Sequence, residues 1–135
     1  MKRSLFFAII IVTFLSLQCM QNKEATWKTI PEIKQTEYEK AWAIIVGAIS
    51  ERFDLEVIDA NSGYLRSAWK ENKDWLGSKE SRTRVVVRIT SREPLKVKLK
   101  VEEQKWDALM DEWKGAGNNE KIERELLEEF ETRLK

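Results

Sequence analysis

The chain has 135 residues, of which 42% are hydrophobic and 35% are charged, and its formal net charge is +1. This length is enough for one folded domain with a short appendage and excludes a second domain of ordinary size. The chain has no histidine and a single cysteine, which excludes an intrachain disulfide and removes the commonest general base and the imidazole metal ligand.

Residues 1–18 are predicted to be a signal peptide of the lipoprotein type. Lys2 and Arg3 precede an apolar run over residues 5–17 that only Thr13 and Ser16 interrupt. This run is shorter than the roughly 20 residues that a membrane-spanning helix needs, and its length is typical of a secretory leader.

Cys19 lies where the apolar run stops. This arrangement resembles the lipobox of bacterial lipoproteins, in which the cysteine is lipidated and becomes the mature N-terminus. The resemblance implies a palmitate-type chain on Cys19 and a protein facing the periplasm or the cell surface. The outer membrane is favoured over the inner, because Met20 and not aspartate follows. Leu17 and Gln18 stand where the lipobox has small residues, so an uncleaved signal anchor and a chance cysteine are the alternatives.

Residues 19–34 are mostly polar and are predicted to tether the lipid to a single α+β domain over residues 35–135. The domain is expected to begin with a helix, because Thr36 and Glu39 fit a capping box. Behind this box, an apolar stripe recurs every three or four residues at Tyr38, Trp42, Ile45, Ile49 and Phe53.

Four strands are predicted next, over residues 54–60, 64–71, 82–91 and 95–101. The last two alternate between aliphatic and cationic residues, so one face of the sheet is expected to be buried and the other to be wet. The residues predicted on the wet, cationic face are Arg66, Lys70, Arg82, Arg84, Arg88, Lys96, Lys98 and Lys100.

Trp75 and Leu76 interrupt the otherwise polar loop between the second and third strands. Two interpretations are open for them. Either they fold back over an open end of the core, or they contact a partner, since tryptophan is enriched at interaction hot spots.

The C-terminal part is predicted to be helical. Trp106, Leu109, Met110 and Trp113 have helical spacing, and a final helix is expected to be capped by Asn118 or Asn119. The predicted fold is therefore α+β: an N-terminal helix, a four-stranded antiparallel meander sheet and a C-terminal helix, with both helices on one face of the sheet.

Residues 63–69, which read GYLRSAW, resemble the G-x-(I/L)-x-(T/S)-x-W hairpin of BamC-type bacterial envelope lipoproteins with a helix-grip-like domain. In that family a helix precedes four antiparallel strands and a last helix closes the grip. The resemblance implies a structural or assembly-linked role at the envelope, and it brings no catalytic residue to this chain.

No catalytic motif is recognisable in the sequence. The glycines form no phosphate-binding loop, and Asp107, Asp111 and Glu112 are expected to form a solvated acidic face and no metal site. No enzymatic activity and no cofactor are predicted.

The predicted function is a non-catalytic, lipid-anchored interaction or assembly module. Its contacts would be the cationic face and Trp75 with Leu76, and its partner an acidic protein, an anionic lipid or another polyanion; nucleic acid is excluded by the leader. The alternative is a periplasmic binding module for a lipidic or apolar ligand, in a groove lined by Trp42, Trp69, Trp106 or Trp113.

Overall fold

The structure is a computed structural model that describes residues 21–31, 33–34 and 37–135. The predicted signal peptide, the lipidation site Cys19 and the predicted cap residue Thr36 lie outside the described residues. The elements are β1 (Lys28–Thr29), α1 (Tyr38–Ser50), β2 (Leu55–Asp59), β3 (Tyr64–Ser67), β4 (Lys70–Lys73), β5 (Lys79–Arg92), β6 (Leu95–Asp107), β7 (Glu112–Asn118) and α2 (Glu120–Arg133).

The strands form one antiparallel sheet around the long central pair β5 and β6. Its order is β1-β6-β5-β3-β2, with β4 also paired to β5 and β7 also paired to β6. β3 and β4 therefore lie end to end along β5, and β1 and β7 lie end to end along β6. The α+β class fits, but the predicted four-stranded meander is wrong, because the sheet has seven strands.

One correction concerns the segment that was predicted to be a short helix after residue 101. β6 continues to Asp107, turns, and returns as β7, with Trp106 opposite Trp113. The two indole rings pack edge to face with centroids 5.1 Å apart. A spacing of seven residues fits one face of a helix and equally fits the two arms of a tight hairpin, so the spacing alone did not discriminate between them.

A second finding concerns residues 28–30, which lie within the predicted tether. Lys28 and Thr29 form β1 and pair with Leu99 and Lys98 of β6, and Ile30 is buried in the core. Residues 28–30 are therefore part of the folded domain. Few residues of the N-terminal segment, residues 22–30, are apolar. Its contact with the sheet depends on backbone hydrogen bonds, which composition does not reveal.

A further correction concerns the predicted continuous strand over residues 64–71. It is broken by a bulge, in which residues 67–69 face only Arg84 and Val85 of β5. The Ser67 hydroxyl accepts a hydrogen bond of 2.9 Å from the Val85 N–H, which the bulge deprives of a backbone partner. The extra residue reverses the inside–outside alternation beyond the bulge.

The core lies between the two helices and the aliphatic face of the sheet. Both helices contribute to a single hydrophobic cluster with the inward side chains of β3, β5 and β6. Its largest fully buried members include Phe130, Ile45, Ile49, Leu65 and Leu99. α2 is capped by Asn119, one of the two residues predicted for this role, whose side chain accepts a hydrogen bond from the Ile122 N–H.

Gly63 positions the start of β3. It has a φ of 68°, and its carbonyl accepts a hydrogen bond of 2.8 Å from the Ile89 N–H. A Cβ at this position would lie 2.8 Å from the Ile89 Cβ, so only glycine fits the turn.

Neither α1 nor α2 has the length and apolar composition that a helix needs to cross a membrane, and the described residues contain no other helix.

Candidate functional site

The sheet face opposite the helices, here called the outer face, contains seven of the eight predicted cations. They alternate with the buried residues of β3, β5 and β6, and they are Arg66, Arg82, Arg84, Arg88, Lys96, Lys98 and Lys100. The eighth, Lys70, follows the bulge and is paired with the inward-facing Thr83. Its ammonium group donates to the carbonyl of Arg52 at 3.1 Å, on the side of the helices.

Tryptophans are interleaved with the arginines at one end of the outer face. The Arg84 guanidinium lies 4.3 Å and that of Arg82 4.5 Å from the centre of the Trp69 ring. Arg82 also lies 4.6 Å from the centre of the Trp113 ring. Planar guanidinium groups stack well on indole faces, and each contact of this kind stabilises by about 0.5–2 kcal/mol.

The desolvation of Arg82 follows from this packing. Burial lowers the pKa of Arg82 below its usual value; the negative charge of Glu71 partly offsets this effect, and neighbouring Arg84 adds a smaller lowering. Its Nε–H donates to the Gln104 side-chain oxygen at 2.7 Å. The guanidinium is held in one orientation by this hydrogen bond and by the two indole rings.

Glu102 is the acidic centre of the outer face. Its carboxylate accepts a hydrogen bond of 2.7 Å from Arg84 Nε and lies 2.7 Å from Lys100 Nζ. Burial would raise the pKa of Glu102, but the hydrogen bonds and positive charges of Lys100 and Arg84 outweigh it and hold the pKa below its usual value. We call the group Trp69, Arg82, Arg84, Glu102 and Trp113 the stacked patch.

The N-terminal segment completes the outer face. Lys23 pairs in parallel with Ala116 of β7, and the Lys23 N–H donates to the Gly115 carbonyl at 2.8 Å. Further along, the ring of Trp27 lies 5.0 Å from Lys100 Nζ and 6.0 Å from the Arg88 guanidinium. Ile30, three residues further on, is buried in the core, so the alternation of this short strand turns Trp27 to the outer face.

The other end of the outer face has cations without carboxylates. Arg88 and Lys98 face each other directly across β5 and β6, with Lys96 next along β6 on the same side. Within the part of the chain that the structure describes, these three cations make no salt bridge. Like charges opposite one another in a sheet repel. We call Arg88, Lys96 and Lys98 the open cationic patch.

Three of the four tryptophans proposed as the lining of a ligand groove lie together on the outer face, and the fourth, Trp42, does not. Trp42 is buried in the core on α1, whereas Trp69 and Trp113 lie on the outer face around Arg82. Trp106 packs against Trp113. The cleft beside the stacked patch has a volume of about 370 Å³ and is lined mainly by polar groups of the N-terminal segment, β6 and β7.

Trp75 and Leu76 do not fold back over the core, so that interpretation is wrong. Their side chains are 90% and 69% exposed. Leu109 and Met110, which sequence reasoning assigned to a helix, are exposed in the β6–β7 turn. Each pair lies in a turn in which an aspartate side chain accepts hydrogen bonds from the backbone.

Asp107, the first of the acidic residues near this turn, forms an ion pair. Asp107 Oδ2 lies 2.9 Å from Lys114 Nζ. The hydrogen bond from Lys114, together with those from the backbone N–H groups of Met110 and Leu109, lowers the pKa of Asp107. Across the described residues, no three histidine, cysteine or acidic side chains converge as metal ligands would.

A comparison with known protein families found no family model that matches the chain, and a comparison with curated proteins found no matching sequence.

Proposed function

We propose that this protein is a non-catalytic, lipid-anchored protein of the bacterial envelope, related to the BamC-type domains, and that it acts as an interaction module for an acidic protein partner. The observation that supports this proposal is the open cationic patch. Arg88 and Lys96 are exposed and Lys98 is half-buried, and an acidic segment would relieve their mutual repulsion.

Aromatic rings frame the open cationic patch. The Arg88 guanidinium lies 5.7 Å from the centre of the Tyr64 ring on one side and near Trp27 on the other. Tyrosine, tryptophan and arginine are the residue types most often found at interaction hot spots. A partner segment that combines carboxylates with an apolar side chain would fit this chemistry.

The resemblance of residues 63–69 supports the envelope assignment. Each matched position has a structural role in this chain. Gly63 makes the turn, Ser67 supplies the hydroxyl that bridges the bulge, and Trp69 stacks between two arginines. The motif therefore shapes the strand that lies beside β5, and its tryptophan belongs to the stacked patch.

The test is binding of the full chain, in neutral detergent micelles, to fluorescent polyglutamate across a salt series. We expect binding that weakens as salt rises, because the contact is electrostatic. The double variant Arg88→Glu with Lys98→Glu should weaken binding by at least about tenfold, the equivalent of about 1.4 kcal/mol.

The matched control is the double variant Lys121→Glu with Arg124→Glu, two reversals on the exposed side of α2, which should bind like the wild type. Equal affinity for both charge reversals would refute the assignment of the open cationic patch. Capture from envelope extracts with the wild type, but not with the double variant at Arg88 and Lys98, then identifies the natural partner.

A further inference from the structure

Two turns at one end of the sheet expose large apolar side chains. The β4–β5 turn, residues 74–78, contains Trp75 and Leu76, and the β6–β7 turn, residues 108–111, contains Leu109 and Met110. Leu109 is 96% exposed and Met110 is 63% exposed. Exposed tryptophan and leucine on a turn have no role in packing this domain.

The two turns are neighbours in space. Ser81 pairs with Lys105 across β5 and β6, so the start of β5 and the end of β6 lie side by side. The Lys79 ammonium lies 4.1 Å from the centre of the Trp106 ring and joins the bases of the two turns. We call the four side chains Trp75, Leu76, Leu109 and Met110 the apolar tips.

An aspartate carboxylate stabilises each of the two turns by accepting hydrogen bonds from backbone N–H groups. The Asp74 carboxylate accepts hydrogen bonds of 2.9 Å from the N–H groups of Leu76 and Ser78. The Asp107 carboxylate accepts from the N–H groups of Leu109 and Met110 at 3.0 and 3.2 Å. An aspartate that begins a turn in this way fixes the backbone, so the apolar side chains project outward from ordered turns.

The N-terminus enters the domain at this same end. Because Lys23 runs parallel to β7, Gln21 and Asn22 lie towards the start of β7, beside the β6–β7 turn. Asn22 accepts a hydrogen bond of 2.7 Å from the Gly115 N–H, three residues from the first residue of β7. Cys19 precedes Asn22 by three residues, a reach of at most about 10 Å, and the apolar run over residues 5–17 precedes Cys19.

We propose that the apolar tips insert into the interface of the lipid bilayer next to the N-terminal anchor, so that the sheet stands on the membrane by this end. Indole and aliphatic side chains together are the composition found at the boundary between headgroups and acyl chains. Two convex turns suit a deformable lipid surface better than a preformed protein pocket. The inference rests on the membrane anchoring in the proposed function, but not on the acidic partner.

This orientation has a consequence for the outer face. A sheet standing on its end presents the open cationic patch sideways, away from the headgroups and towards a neighbouring protein. The apolar tips and the open cationic patch would therefore bind different partners at the same time.

The test is tryptophan quenching in the full chain reconstituted into neutral phosphatidylcholine liposomes, with or without bromine on the acyl chains close to the headgroup. The leader has no tryptophan, so quenching reports the domain alone. We expect brominated lipid to quench the wild type, and the variant Trp75→Phe to lose most of that quenching.

A second variant keeps the tryptophan and removes the insertion. Leu76→Asp with Leu109→Asp should leave Trp75 unquenched, whereas the control Ile58→Asp, at an exposed apolar position of β2, should be quenched like the wild type. Circular dichroism establishes that each variant is folded. The variant Arg88→Glu with Lys98→Glu should retain full quenching, which separates this inference from the acidic-partner proposal.

Three results would overturn the inference. Equal fluorescence in brominated and plain lipid would show that the apolar tips do not contact the membrane. Quenching that persists in Trp75→Phe would place another face, such as the one containing Trp27, against the lipid. Crosslinking between copies through the apolar tips without quenching would make a second copy of this chain the occupant.

Discussion

Glu102 shows how a single carboxylate organises the stacked patch. It accepts from Arg84 and lies within ion-pair distance of Lys100, two cations that would otherwise repel each other. All three side chains are only partly exposed, so water screens the attraction less than at an open surface. The hydrogen bonds to this carboxylate are therefore of the charge-assisted type that stabilises a fold.

We expect Glu102→Gln to lower the free energy of unfolding at pH 7 by about 1–3 kcal/mol, because two cations lose a charged acceptor. The pKa of Glu102 is lowered in the folded protein. Its stabilisation is therefore fully present above the pKa of an unfolded glutamate, about 4.3, and is lost as the pH falls through the lower folded-state pKa. Chemical denaturation at a series of pH values measures this difference.

The control for this substitution is Glu56→Gln. Glu56 pairs with Arg66 at 3.0 Å, but half of its side chain is exposed, so its loss should change the stability by less than about 1 kcal/mol. If the two variants were equally stable at pH 7, or if their difference did not shrink in acid, Glu102 would not be the centre of the stacked patch.

At the level of elements, the bulge between β3 and β4 decides which side chains belong to the outer face. Period-two alternation placed Trp69 inward and Lys70 outward, and one additional residue reversed both. The sequence contains no proline or glycine at residues 67–69 that would mark a bulge. What marks it in the structure is the Ser67 hydroxyl bonded to the Val85 N–H, a pairing between distant residues that a local pattern cannot show.

The docking of the N-terminal segment gives a prediction at the same level. A Cβ at Gly115 would lie 2.5 Å from the Lys23 carbonyl oxygen, a backbone atom that cannot move without undocking the segment. We expect Gly115→Ala to destabilise the protein by about 1–3 kcal/mol and to speed hydrogen exchange at the Lys23 and Gly117 amides.

The control for the glycine substitution is Gly47→Ala, within α1. No atom lies within 4 Å of a Cβ built there, and alanine is favoured over glycine in a helix by about 0.5–1 kcal/mol. This variant should be as stable as the wild type or more so, with unchanged exchange at Lys23. Slow exchange at Lys23 in Gly115→Ala would show that the segment tolerates the side chain and is held by other contacts.

For the molecule as a whole, strong periodicity predicted both helices and the long central strands, because their buried faces depend on residues close in sequence. β1, β7 and the stacked patch were missed because they depend on pairing between distant segments. Thr26, for example, bonds to Asn118, which is 92 residues away. The cations of the candidate site were found from alternation, whereas their aromatic partners were not, since cation–π stacking follows from tertiary placement.

The attachment of the whole molecule to the envelope is tested by metabolic labelling with a fatty-acid analogue. We expect the wild type to be labelled and Cys19→Ser to be unlabelled, since the thiol is the acylated group. Membrane fractionation of the labelled cells then separates outer from inner membrane. Wild-type protein without label would contradict the lipid anchor.

The pairing of Lys23 with Ala116 also sets an order of events during folding. The N-terminal segment is the first of the described parts to be synthesised, but its partner β7 is among the last. Contacts between such distant segments close long loops and therefore form slowly. The segment must stay unpaired until the C-terminal third of the chain has folded, so β7 completes the attachment of the segment that begins the sheet.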